Sequence, residues 1–255
     1  MRDRAVPVPP GLRRWVTGAE DARVRTGFLA HLPDTTAQLV FRVTPDGDRD
    51  LLVTGPRTRA AYHAGKHIPF AVRIRLRPDR AALLLGVGMH ELVDRVVPVR
   101  QLPGSPAAGL AATLTGIAAE HAAVLAALDR ALPADTGAST RDRQHAELVR
   151  AAIAALRAEP PVRVPAVAHR LGVSERHLRA VFGWAVGVSP KHYLRINRVR
   201  SVLRPGRTGR LAGRAADAGY YDQAHMAAEF RRTMGISPGA YLAGQRPAPE
   251  ACPRG

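Results

Sequence analysis

The chain has 255 residues, of which 46% are hydrophobic and 23% are charged. These proportions are typical of one or two globular domains and exclude a wholly disordered protein. The single cysteine, Cys252, excludes an intramolecular disulfide, a cysteine-ligated zinc site and an iron–sulfur cluster. The N-terminus lacks the apolar core of a signal peptide, and no apolar run is long enough to span a membrane, so we expect a cytoplasmic protein.

The charge balance is strongly basic. The 38 basic residues outnumber the 21 acidic ones, and all but Lys66 and Lys191 are arginines. The excess is concentrated in residues 141–255, which contain 20 basic and 8 acidic side chains. Genome composition alone can enrich arginine, but the guanidinium group also forms paired hydrogen bonds with phosphates and guanine edges. We therefore expect a polyanion as partner, with a membrane surface as the weaker alternative.

The first hundred residues have the patterns of β-strands. Segments 35–43 and 50–55 are rich in strand-forming residues and end in turn residues. In segment 71–77 apolar residues alternate with three arginines, whose face we expect to be solvated rather than an anion site. The short apolar run 82–87 predicts a buried strand.

From about Pro106 the apolar residues recur at helical spacing. This pattern predicts a long helix up to residue 132, which packs either on its own sheet or against a second copy of the chain. Residues 133–140, PADTGAST, have the composition of a linker.

These patterns predict an α+β protein of two domains: a β-rich domain ending in a helix, then an all-α domain. The expected divisions are 1–132 for a regulatory or dimerisation domain, 133–142 for the linker, 143–246 for the helical domain and 247–255 for a disordered tail.

The helical half contains an internal repeat, residues 171–194 and 218–242. The two copies share an early glycine, a phenylalanine, a second glycine and a Ser-Pro pair: Gly172, Phe182, Gly187 and Ser189-Pro190 in the first, and Gly219, Phe230, Gly235 and Ser237-Pro238 in the second.

Each copy predicts a helix-turn-helix unit. The early glycine reverses the chain, a cap starts the second helix, and apolar residues of that helix point inward. The predicted N-caps are Ser174, Ser189, Asp222 and Ser237. A helix beginning at Pro190 would join the two units.

Residues 164–242 resemble the C-terminal domain of AraC/XylS-family transcriptional regulators. The resemblance rests on GYYDQAH followed by EFRR and GISP at this spacing. It implies two helix-turn-helix units in successive major grooves of double-stranded DNA and action on transcription, often as an activator that contacts RNA polymerase. A further similarity, in GPRTRAAY and HELVDRVVPV, implies an N-terminal domain that senses a small-molecule effector or forms a homodimer.

Candidate DNA-contacting residues follow from the repeat and the resemblance. We predict base contacts by Glu175, Arg176, Arg179, Gln223 and Ala224, and phosphate contacts by Lys191, Arg195, Arg231 and Arg232. Glu175 either accepts from cytosine or stabilises the helix dipole. Family members commonly carry a basic residue where this chain has Ala180 and Ala228. Either the first recognition helix dominates specificity, or the second reads thymine methyl groups with alanines and an adenine with Gln223.

Enzymatic chemistry has little support in the sequence. His63 and His67 have the spacing of a helical metal pair, but the intervening glycine argues against a helix and no third ligand is evident. We expect no catalytic residues, no metal and no cofactor. Two rival functions stay open: an enzymatic or ligand-binding N-terminal domain tethered to nucleic acid, and a non-specific nucleoid-associated protein.

Overall fold

The computed structural model describes residues 4–24, 27–65, 67–102, 104, 107–133, 138–158, 162–203 and 211–250. The strands are β1 (Arg4–Val6), β2 (Val16–Asp21), β3 (Gly27–His31), β4 (Gln38–Val43), β5 (Arg49–Thr54), β6 (Ala61–Gly65), β7 (Phe70–Leu76) and β8 (Val96–Pro98). The helices of the N-terminal part are α1 (Ala81–Leu85), α2 (Ala108–Thr115) and α3 (His121–Ala131). Those of the C-terminal part are α4 (Thr140–Leu156), α5 (Val164–Arg170), α6 (Glu175–Val186), α7 (Pro190–Leu203), α8 (Leu211–Asp217), α9 (Gln223–Met234) and α10 (Pro238–Leu242).

The predicted α+β architecture is confirmed. An antiparallel sheet has the order β1-β2-β7-β4-β5-β8, and β3 pairs with β6 in a separate two-stranded ribbon. Val72, Ile74 and Leu76 of the central strand β7 are fully buried. They share one core with apolar residues of α1, α2 and α3, because alternation along the strand directs every second side chain to the helix-covered face.

The arginine face of β7 is ion-paired, whereas the sequence predicted a solvated face. Arg73 donates to Glu20 at 2.8 Å, and Arg75 binds Asp34. Asp34 is a buried residue, so this side of the sheet is partly withdrawn from water.

The predicted strand at 82–87 is wrong. Residues Ala81–Leu85 form the short helix α1, which ends at Gly86 in the left-handed conformation (φ 68°). The run is apolar on every side, so its periodicity does not separate a buried strand from a buried helix.

The long helix predicted up to residue 132 is interrupted. α2 ends at Gly116, and α3 begins after the extended residue Glu120. Leu110, Leu114 and Leu128 are buried in the core of their own domain. A contact with a second copy of the chain stays a prediction.

Two predicted boundaries differ from the structure. α4 begins at Thr140, capped by Ser139, inside the segment expected to be linker; residues 134–137 lie outside the described part. In the tail expected to be disordered, the Glu250 amide donates to the Tyr62 carbonyl at 2.7 Å. Residues 251–255 lie outside the description.

The helical half packs directly on the β-rich half. The contacts include Arg150 on Asp79 at 2.9 Å, Arg200 on the Pro33 carbonyl at 2.8 Å, the Ala60 amide on the Thr233 carbonyl at 2.8 Å, and the Tyr62 hydroxyl on the Met234 carbonyl at 2.7 Å. The helices α4, α7 and α9 are therefore each held at a set position on the N-terminal domain.

Gly55 lies where two backbone segments come into close contact. A Cβ atom at this position would lie 1.8 Å from the Leu92 carbonyl oxygen. We expect Gly55→Ala to lower the free energy of unfolding by about 2–3 kcal/mol, because overpacking forces the backbone to shift. Urea denaturation measures the change. Gly18→Ala is the control, since a Cβ there meets no atom within 4 Å; equal effects of the two substitutions would contradict the close contact at Leu92.

Candidate nucleic-acid interface

The first helix-turn-helix unit consists of α5 and α6. Gly172 reverses the chain between them with φ 67°. Val167 of α5 and Leu178 and Phe182 of α6 are fully buried. The inner face of α6 is therefore fixed, and its opposite face is free for a ligand.

The second unit repeats this arrangement with α8 and α9. Gly219 adopts φ 74° at the turn, and Met226 and Phe230 of α9 are fully buried. Because the two units share the same turn and the same buried positions, each presents one recognition helix.

The four predicted N-caps each accept a backbone amide. Each side-chain oxygen accepts a hydrogen bond from the backbone amide three residues later. The pairs are Ser174 with His177 at 3.2 Å, Ser189 with His192 at 3.2 Å, Asp222 with His225 at 2.7 Å and Ser237 with Ala240 at 3.2 Å. These bonds satisfy amides that have no partner within their helix and define where each recognition helix begins.

The helix α7 joins the units and is anchored to both cores. Tyr193 packs edge-on against Phe182 of the first unit, with ring centroids 5.4 Å apart. Val199 and Val202 are fully buried in the core of the second unit. One continuous helix therefore spans both hydrophobic clusters.

A buried carboxylate connects α7 to the second recognition helix. Glu229 accepts from Arg198 at 3.0 Å, from Arg195 at 3.3 Å and from the Tyr220 hydroxyl at 2.9 Å. Burial and the adjacent Glu229 raise the pKa of Tyr220, so the phenol stays protonated and donates. Arg195, predicted as a phosphate contact, is thus engaged inside the domain.

The outer faces of the recognition helices differ. On α6, Arg176 and Arg179 are exposed, and Arg179 forms an ion pair with Glu175 one turn before it. On α9, the exposed residues are Gln223, Ala224, His225, Ala228, Arg231 and Arg232. Lys191 at the start of α7 is also exposed. The predicted base and phosphate candidates other than Glu175 and Arg195 are therefore exposed, and these two are half-buried.

Two features of this surface were missed at the level of sequence. Tyr221, immediately before the cap Asp222, is 94% exposed; the adjacent tyrosines in GYYD were its only signal. His177 of α6 lies beside His145 of α4, with ring centroids 5.7 Å apart. No spacing rule connects these two histidines, because they come from different helices.

The other candidate centres stay separate. His63 is buried in β6, while His67 is exposed. Among the described residues, no group of three or more potential metal ligands occurs. Within the same ranges no helix is both long and apolar enough to cross a membrane. Cys252 lies outside these ranges.

The Glu229 cluster yields a direct stability test. We expect Glu229→Gln to lower the free energy of unfolding by about 3 kcal/mol, because two partly buried arginines lose their counter-charge. Glu175→Gln is the matched control, because its pair with Arg179 is much more accessible to solvent, and it should cost less than about 1 kcal/mol. Chemical denaturation of both variants measures the difference, and equal costs would mean that Glu229 is not the connection between α7 and α9.

The comparison with family models agrees with this geometry. Residues 167–244 match the family model of a helix-turn-helix domain. The comparison with curated proteins found no match. Solved structures similar to this chain include ToxT from Vibrio cholerae, with 9% identity, a TM-score of 0.41 and coverage of 87% of this chain and 98% of that one. Another is the transcriptional regulator CdpR from Pseudomonas aeruginosa, with 22% identity, a TM-score of 0.30 and coverage of 68% and 45%. The matched residues, 167–244, belong to the helix-turn-helix domains of the AraC type.

Proposed function

We propose that the protein is a sequence-specific transcriptional regulator that places α6 and α9 in adjacent major grooves of duplex DNA. The observation that carries this proposal is the pair of recognition helices, each buried on one face and exposed on the other. A single α-helix fits the major groove, and the N-terminal residues of a recognition helix contact the base edges.

The charge distribution favours unequal contributions of α6 and α9 to the sequence preference. Arg176 is an exposed cation on α6, whereas the outer face of α9 begins with Gln223 and Ala224. Arginine discriminates guanine through two hydrogen bonds, while alanine offers only a contact with a thymine methyl group. We infer that α6 contributes most of the sequence preference, with Glu175 orienting Arg179 or accepting from cytosine.

Phosphate contacts would position the domain on DNA. Lys191, Arg231 and Arg232 are exposed and suited to this role. Arg195 is a weaker candidate, because its Nε atom donates to Glu229.

The N-terminal domain would control this activity in response to a small-molecule effector. Its contacts with α7 and α9 support such a link, since a change in the β-rich domain would act on the second unit directly. Homodimerisation and contact with RNA polymerase, as an activator, belong to the same proposal on the basis of the family resemblance.

The first test is binding of the full chain to duplex DNA. With about six phosphate contacts, log K should fall with log salt at a slope of about −5, because each neutralised phosphate releases counterions. Fluorescence anisotropy across a salt series measures the slope. Binding that does not respond to salt would contradict a phosphate-contacting interface.

Unlabelled competitor DNA separates the rival functions in the same assay. A specific regulator keeps its footprint at one or a few genomic sites in excess random DNA, whereas a nucleoid-associated protein loses it everywhere. An enzyme that uses the helical domain only as an anchor to nucleic acid would likewise show no footprint at a preferred site.

The recognition helices can be ranked by substitution on a mapped operator. We expect Arg176→Ala to weaken binding by at least about 1 kcal/mol and to relax preference at one base pair. Gln223→Ala should cost less, and Arg231→Ala should weaken all sequences about equally. Quantitative footprinting gives the order, and a larger loss for Gln223→Ala would overturn the dominance of α6.

A further inference from the structure

The second helix-turn-helix unit contains one residue more than the first between its turn and its cap. Gly172 is followed by one residue before the cap Ser174, whereas Gly219 is followed by two before the cap Asp222. From the cap to the buried phenylalanine of the recognition helix, the spacing is the same in both units. The additional residue therefore lies in the turn and leaves the two recognition helices equivalent.

Backbone hydrogen bonds identify the additional residue as Tyr221. In the first unit, the Val173 amide donates to the Ala168 carbonyl at 3.1 Å. In the second, the Tyr220 amide makes the corresponding bond to the Ala215 carbonyl at 3.0 Å. Val173 and Tyr220 also both pack on the hydrophobic cluster of their own unit. Tyr220 is thus the counterpart of Val173, and Tyr221 has no counterpart in the first unit.

The side chain of Tyr221 is turned to solvent. It is 94% exposed, whereas the other exposed large apolar side chains of the described residues are at most 45% exposed. An aromatic ring in water forgoes the free energy that its burial would contribute. The turn itself does not require this ring, because the first unit forms the same turn without it. The ring is therefore available for a contact outside the protein.

The backbone of Tyr221 is held on both sides. Tyr220 before it is buried, and its hydroxyl donates to Glu229 at 2.9 Å. Asp222 after it caps α9 by accepting the His225 amide at 2.7 Å. The ring is thus presented from a fixed position at the start of the recognition helix. A tyrosine side chain on a fixed backbone has only two χ angles to order, so it loses little entropy when it binds.

The start of α9 carries no lysine or arginine that could contact a phosphate. Residues 217–230 contain neither residue type, and the arginines of α9, Arg231 and Arg232, lie in its last turn. On α6, by contrast, Arg176 and Arg179 lie within the first two turns. A phosphate contact at the start of α9 must therefore come from an uncharged donor.

We propose that Tyr221 binds the DNA backbone at the start of α9, with its hydroxyl donating to a phosphate oxygen and its ring lying against the adjoining deoxyribose. Tyrosine is one of the side chains that contact phosphates, and it combines a hydrogen-bond donor with an apolar ring. The contact rests on the proposed function, because it requires α9 in a major groove. Since Tyr221 precedes the helix, Gln223 and Ala224 stay free for the base edges.

An uncharged backbone contact differs from a cationic one in its response to salt. A lysine or arginine that neutralises a phosphate releases counterions and so steepens the dependence of log K on log salt. A tyrosine hydroxyl neutralises no charge. Loss of Tyr221 should consequently lower the affinity for DNA and leave the salt slope unchanged. Because a phosphate contact does not read sequence, the loss should be equal on operator and random DNA.

The experiment measures binding of the full chain to a mapped operator and to random duplex DNA by fluorescence anisotropy across a salt series. Tyr221→Ala should weaken both about tenfold, and Tyr221→Phe about threefold or more, because phenylalanine keeps the ring and loses the donor. Arg231→Ala should instead reduce the salt slope by about one. Phe28→Ala is the matched control, an exposed aromatic ring on β3, and should stay within about twofold of the unmodified protein.

Ethylation interference on the same operator tests the phosphate directly. One phosphate whose ethylation weakens binding of the unmodified protein should no longer matter to Tyr221→Phe, while the other interfering phosphates stay the same. Because the Tyr221 side chain is almost fully exposed, we expect both variants to fold, and circular dichroism checks this.

Four results would overturn the contact: an affinity of Tyr221→Ala within about twofold of the unmodified protein, a change in salt slope like that of Arg231→Ala, a loss confined to the operator, or an unchanged ethylation pattern for Tyr221→Phe. Arg176→Ala in the same series separates this failure from failure of the proposed function. If Arg176→Ala weakens binding and the Tyr221 variants do not, only the Tyr221 contact is wrong. If the unmodified chain binds no duplex, both are wrong.

Discussion

The spacing of the two recognition helices depends on one buried carboxylate, Glu229. It faces two arginines of α7 and the hydroxyl of Tyr220, while α7 itself spans the cores of both units. Desolvated charges have few tolerable arrangements, so this cluster specifies one orientation more sharply than apolar packing does. The cluster therefore fixes α9 against α7 in addition to their apolar contacts, so the relative position of the two outer faces depends on it.

A second charge cluster connects the helical half to the N-terminal domain. Asp34 binds Arg75 of β7 and Arg200 of α7, the latter at 2.9 Å. Burial alone would raise the pKa of Asp34, but the two arginines hold it below its usual value. The stability that these pairs contribute is present above the pKa of an unfolded aspartate and is lost as the pH falls through the lowered value in the folded protein. Contact between the domains is consequently weakest in acid.

The helical half could be read from sequence because its signals are local. Glycines with positive φ, capping residues and buried positions at helical spacing each act within a few residues, and the repeat displays them twice. The prediction of a strand at 82–87 was wrong because residues that are buried on every side show no periodicity that distinguishes a strand from a helix. The ion pair of Arg195 was not predicted for a different reason, since its partner Glu229 lies 34 residues away in the chain. The pairing of β3 with β6 was likewise not predicted, because β4 and β5 lie between these two strands in the chain.

The end of the first recognition helix is shaped by the other domain. Gly187 closes α6 in the left-handed conformation, and a Cβ atom there would lie 2.8 Å from the Met89 carbonyl oxygen and 2.9 Å from Pro56. The two halves are therefore not interchangeable parts. A chimera that joins the helical half to a different N-terminal domain must also supply backbone segments that accommodate α6 at this distance. Recombination between related proteins would accordingly be tolerated only where the segments around Pro56 and Met89 are inherited together with residue 187.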